Sequence, residues 1–290
     1  MTFKLKANSQ PNKGLIFAGC SFTWGQGLYY YSGMNSVKTP ELHRYDSTLV
    51  RLPHFNFLEK FRFPRLVANH FDTFELCQTF NGGSHDSIID FWNYLFREVP
   101  EDRLSIRNGN ILKTQHTEYG TYLDYEDVSH VIFQFTQWER SRSPVNYPDR
   151  EPMSHHDYYF HYKDDFIKWL QVNNLDFKQY DDIGISRDIT LVKEFLQQFE
   201  NKGIKTYVLV WPNSISKRVL NDEWLASRFI KIKYNSREVN DIWTIQQLFP
   251  ELLITNDYEN FLIPPIDNHP SMKCHRVIAD NIIKMIEKDF

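Results

Sequence analysis

The sequence predicts an α/β fold: a central, mostly parallel sheet of about five strands with helices on both faces. Three observations predict it. Short apolar runs bounded by polar or turn residues recur along the chain, as in strands covered on both faces. Longer stretches with apolar residues at helical spacing fall between them. No internal repeat or low-complexity segment breaks this alternation, and strand alternating with helix builds a parallel sheet.

The elements follow in order. Leu15–Ala18 is the first strand, Phe74–Phe80 the second, Val131–Phe135 the third and Tyr207–Trp211 the fourth, with Leu252–Ile254 as a weaker fifth. Pro64–Phe71 reads as a helix. Within Ser87–Val99, residues Ile88, Trp92, Leu95 and Val99 share one helical face, and 188–200 repeats the pattern with Ile189, Val192, Leu196 and Phe199. The last helix, Ser271–Lys288, has Ile278, Ile282, Met285 and Ile286 on one side, and Ser271 is placed to cap its first turn. Two stretches rich in Tyr, His, Asp and Pro, at about 29–60 and 141–182, read as insertions over the sheet, so one domain is expected across 1–290.

Composition narrows the function. A chain of 290 residues can bury a sizeable core. With 33 Lys+Arg against 37 Asp+Glu and a net charge of −4, it lacks the clustered basic excess of a nucleic-acid binder. Mean hydropathy is −0.52, and no apolar run approaches the roughly 18 residues that span a bilayer. The opening MTFKLKANSQPNKG has no apolar core of a secretory signal, so no membrane partner and a cytoplasmic location are expected. Three cysteines, Cys20, Cys77 and Cys274, disfavour a disulfide framework. Of only 11 glycines, five fall in two short stretches: Gly19, Gly25 and Gly27, then Gly82 and Gly83. Glycines so placed mark positive φ or close approach of the backbone to something else.

In parallel sheets ligands bind beyond the carboxyl ends of the strands. Three segments there carry chemistry. In GLIFAGCSFTWGQG (14–27) a strand runs into Gly-Cys-Ser and a glycine turn, which presents Ser21 at the sheet edge as a nucleophile for a base to activate. Asn81-Gly82-Gly83-Ser84-His85 follows the second strand, where a glycine amide can donate to an oxyanion. Ile266-Asp267-Asn268-His269-Pro270-Ser271 places a histidine, with an aspartate two residues before it, just ahead of the last helix.

GCSFTWGQG and DNHPS resemble the first and last blocks of the SGNH/GDSL hydrolase superfamily, and NGGS resembles the second. The resemblance implies a flavodoxin-like three-layer sandwich and a serine esterase or acylhydrolase that needs no cofactor or metal. It makes Ser21 the nucleophile, His269 the base and Asp267 its orienting carboxylate, with the Ser21 and Gly83 amides donating to the oxyanion. Three departures stand out. Cys20 replaces the usual aspartate, the Asp-x-His spacing is one residue short, and the third block, G-x-N-D, is replaced by Thr136-Gln137-Trp138-Glu139-Arg140. Gln137 carries the same side-chain amide as the missing asparagine on a longer arm.

Trp24, Tyr29, Asn81 and Arg140 are the expected substrate contacts, aromatic rings for a sugar and a guanidinium for an anionic group. A small acyl ester, such as acetyl on a polar glycan, is the expected substrate. Acyl transfer to a sugar hydroxyl would use the same residues. The alternative is a catalytically weak or inactive binding or structural protein of the same fold, self-associating through its aromatic surface as a homo-oligomer. His155, His156, Asp157 and His161 carry metal-suited donors without recognised ligand spacing.

Overall fold

The computed structural model describes residues 13–32, 52–80, 84–98, 123–140, 163–261 and 267–290. Strand β1 (Gly14–Cys20) runs into the one-turn helix α1 (Ser21–Trp24) and a 3₁₀ segment, Gln26–Ser32. Helices α2 (Leu52–Phe61) and α3 (Phe63–His70) lead to β2 (Glu75–Phe80) and α4 (His85–Leu95). Then come β3 (Val128–Phe135), α5 (Lys163–Val172), α6 (Phe177–Glu200), β4 (Lys205–Val210), α7 (Asn213–Asn221) and α8 (Glu223–Ala226). A small antiparallel hairpin, β5 (Ile232–Tyr234) and β6 (Arg237–Val239), precedes α9 (Ile242–Leu248) and the final helix α10 (Met272–Ile286).

The main sheet is parallel throughout, in the order β2-β1-β3-β4. β1 is apolar on both sides because both of its sides are covered. On β1, Ile16 and Ala18 enter one buried layer with residues of α4 and α6, while Leu15 and Phe17 enter the other with α3 and α10. β4 divides the same way, Val208 and Val210 against Tyr207 and Leu209. Each fully buried Leu, Ile or Phe contributes roughly 1.5–3 kcal/mol. The chain leaves β1 toward β2 and returns past it to β3. The topological switch therefore lies between the carboxyl ends of β1 and β3, where such sheets bind ligands.

Among the described residues the main sheet has four strands, one fewer than the sequence predicts. Leu252 and Ile254 are buried, but Pro250–Leu252 and Ile254–Asn256 are 3₁₀ turns. Pro250 presets that turn geometry, and it has no amide to donate to a ladder. Only Leu253 bridges, antiparallel to Pro270. The position beside β4 goes instead to Phe229, bridged in parallel to Val208. Part of each expected insertion is helical: α2 lies in 29–60, and α5 with the first turn of α6 lies in 141–182. No helix among the described residues is long and apolar enough to cross a membrane.

Candidate active site

The last-block loop is fixed to the body by backbone. Ile254 N–H donates to the His269 carbonyl (3.1 Å) and Ser271 N–H to the Leu252 carbonyl (2.8 Å). The residues read as a fifth strand thus serve as the clamp of this loop. Ser271 caps α10 as expected, its hydroxyl accepting from Cys274 N–H and donating to the Glu251 carbonyl. Between clamp and helix, Asp267 and His269 pair despite the short spacing. Asp267 Oδ1 accepts from the His269 amide at 2.8 Å and meets His269 Nδ1 directly. Burial raises the Asp267 pKa, but the His269 ring and amide outweigh it, and the carboxyl titrates below its ordinary value. The buried Tyr30 hydroxyl sits against this carboxylate; burial first, and the negative charge second, push its pKa up.

The first block meets the last here. Phe22, one residue past Ser21, packs its ring against the His269 imidazole with centroids 4.9 Å apart, tilted by 32°, and against the Trp211 ring at 4.1 Å. The glycines of this block act as expected. Gly25 has φ +84°, which an L side chain tolerates poorly. Gly27 packs against the histidine, and a methyl there would stand 2.7 Å from His269 Cβ and 3.2 Å from the Pro270 carbonyl. Gly27→Ala is therefore expected to push His269 off Phe22, shift its ring resonances in NMR and cost about 1–3 kcal/mol in urea denaturation. Unchanged resonances and stability would contradict this packing.

Tyr31, next to Tyr30, anchors the 3₁₀ segment to the last block. Its hydroxyl donates to Asp257 and accepts from Met272 N–H (3.1 Å). Tyr31 thereby ties the 3₁₀ segment to the last block, with Tyr30 buried beside it.

At the switch point β3 supplies contacts that the sequence did not reveal. Gln134 is buried, accepts from the Thr23 hydroxyl and donates to Cys20 Sγ at 3.5 Å. One side chain on β3 thereby holds the residues on both sides of the Ser21 position. Cys20 is buried and packs as a small core residue. The only signal for Gln134 in the sequence is a polar residue inside an apolar strand, VIFQF.

Ser21 and Trp24 lie in α1, and Tyr29 in the 3₁₀ segment that follows. Gln137 follows β3, half-buried, its carbonyl accepting from Arg140 N–H (3.3 Å). Arg140 holds its guanidinium 5.4 Å from the Trp211 ring centroid and donates to Thr136 Oγ1 (3.3 Å). Arg140, Trp211, Phe22 and His269 thus form one continuous contact chain, and the sequence reading missed the buried Trp211 that links it. Asn81, Gly82 and Gly83 lie outside the described residues, as do His155, His156, Asp157 and His161. Among the described residues no group of three or more His, Cys, Asp and Glu is placed to hold a metal ion.

No protein-family model and no curated protein matches the sequence. Among solved structures, the chain is similar to a protein assigned to the lipolytic G-D-S-L family from Desulfitobacterium hafniense DCB-2. Identity is 11% over 94% of this chain and 99% of the other, with a TM-score of 0.40. It is also similar to a family two carbohydrate esterase from Clostridium thermocellum in complex with cellohexaose, at 11% identity over 99% of this chain and 67% of the other, TM-score 0.41. At this identity these are likenesses of fold.

Proposed function

We propose that this chain is a serine esterase of the SGNH type, acting on a small acyl ester, acetyl above all, of a polar glycan-like substrate. The observation that carries the reading is the joining of the two sequence blocks. A histidine held by its own aspartate packs against the residue that follows Ser21, at the carboxyl edge of a parallel sheet. In this reading His269 Nε2 takes the Ser21 proton as Oγ bonds to the ester carbonyl carbon. The carbonyl electron pair moves onto oxygen, against the amides of Ser21 and Gly83 and the Gln137 side chain. Collapse breaks the bond to the alcohol, which leaves with the proton from His269, and water resolves the acyl-enzyme by the same route. Asp267 keeps the imidazole oriented and stabilises its charged form. The substrate contacts in this reading are the residues expected from the sequence, Trp24, Tyr29, Asn81 and Arg140. The buried Trp211 lies between Phe22 and Arg140 and ties the first block to the segment after β3.

The test is hydrolysis of p-nitrophenyl acetate and labelling by a fluorophosphonate probe. Wild type is expected to show both and Ser21→Ala neither, with kcat down at least about 10⁴-fold. Equal turnover and labelling in the two proteins would remove Ser21 from the chemistry.

A further inference from the structure

A second histidine–aspartate pair lies away from Asp267 and His269. His85, the first residue of α4, and Asp188, midway along α6, are both wholly buried, with His85 Nδ1 2.7 Å from Asp188 Oδ2. Neither side chain reaches solvent, so this is no second catalytic centre. The other ring nitrogen has a definite task. Thr136 N–H points at His85 Nε2 across 2.9 Å. A backbone amide only donates, so Nε2 is the acceptor. The neutral ring then carries its proton on Nδ1 and gives that hydrogen bond to Asp188. Arg187 completes the set, with Nε and Nη2 3.2 and 2.9 Å from the other Asp188 oxygen. The rings of Phe133 and Phe135 close the imidazole in, at 6.1 and 5.4 Å.

Such a pair is a poor way to gain stability. An apolar side chain would fill the space between α4 and α6 without desolvating a carboxylate. What an apolar filling cannot do is accept from one amide at one fixed place. That amide belongs to Thr136, the residue after β3 and the one before Gln137, and the Thr136 hydroxyl in turn accepts from Arg140. We infer that His85 and Asp188 are positioning residues for the turn after β3, holding Thr136 so that Gln137 and Arg140 keep their places in that turn. That Gln137 serves the oxyanion rests on the esterase reading; the hydrogen bonds that hold Thr136 do not.

Three variants test the inference: His85→Leu removes the acceptor, His85→Gln restores one, and Asp188→Asn keeps volume while removing the charge that selects the tautomer. The measurements are kcat and KM with p-nitrophenyl acetate and the backbone amide resonances of Gln137 and Arg140. In folded His85→Leu, kcat is expected to fall about 100-fold at little-changed KM, the scale of a misplaced catalytic group. His85→Gln should recover about tenfold of that loss, and the two amides should move and return in step. If Leu and Gln variants behave alike, or the amides do not move, the inference is overturned. Should His85→Leu fail to fold, Asp188→Asn decides in its place: lower kcat with shifted amides supports the role, wild-type values for both end it. If wild type neither hydrolyses the ester nor takes the fluorophosphonate label, the esterase reading fails separately. The amide resonances alone then decide whether the pair positions the loop.

Discussion

Asp267→Asn is expected to lower kcat for ester hydrolysis about 10⁴-fold with KM nearly unchanged, the size of effect seen when an orienting aspartate loses its charge. The physical ground is the double use of one oxygen. Oδ1 accepts from the His269 amide and also meets the ring Nδ1, so backbone and imidazole are locked to a single carboxylate. Asparagine keeps a carbonyl oxygen for the amide, and the loop should hold its shape. It carries no charge to stabilise an imidazolium, and its NH₂ can present a donor to Nδ1 and select the wrong tautomer. Because the His269 contacts hold the carboxyl below its ordinary pKa, Asp267 stays ionised through the neutral range. Its stabilising contribution is present above the ordinary carboxylate value and is lost only as pH falls through the lowered one. A loss of less than about tenfold in a folded Asp267→Asn protein would remove the dyad from the mechanism.

A second large effect concerns acid stability. His275 lies on α10 beneath the Gly25 turn, wholly buried, with Nδ1 accepting from Phe63 N–H at 3.3 Å. Burial, and then the charges of His269 and Arg62, lower its pKa from 6.5 to about 3. The unfolded chain binds this proton at 6.5 and the folded chain does not, so the contribution is complete above 6.5 and is lost as pH falls from there toward 3. Within that window the slope is about 1.4 kcal/mol per pH unit for this one group. Urea denaturation at about pH 7.5 and about pH 5 should show wild type losing markedly more stability than His275→Phe. The variant should start lower at neutral pH, because the Phe63 amide loses its acceptor. Parallel losses in the two proteins would show that His275 does not control acid stability.

Legibility followed burial. β1 and the apolar stretches of β3 and β4 could be read because both faces are covered, and α10 because its cap and apolar face agree, whereas β2 carries Glu75, Gln78 and Thr79. The failures have local causes. Leu252–Ile254 has the composition of a strand, but Pro250 turns it into a clamp. The start of α6 was hidden by Gly184, a residue that weakens helices. The structure explains it, since the Trp138 ring lies where a side chain at 184 would stand. A readable signal existed, because Asp176 and Gln179 form a reciprocal cap at its first turn. Ser21, Asp267 and His269 were legible as motifs. Gln134, Trp211 and the His85–Asp188 pair were not, because each acts through partners far away in sequence.

The Phe22–His269 contact and the Leu253–Pro270 bridge bear on the order of folding. Phe22 and His269 are separated by β2, β3 and β4, and closing so long a loop costs chain entropy before any contact repays it. The first and last blocks are therefore expected to meet late, when α10 docks onto strands that have already paired. In the esterase reading, Ser21 gains its base only at that step.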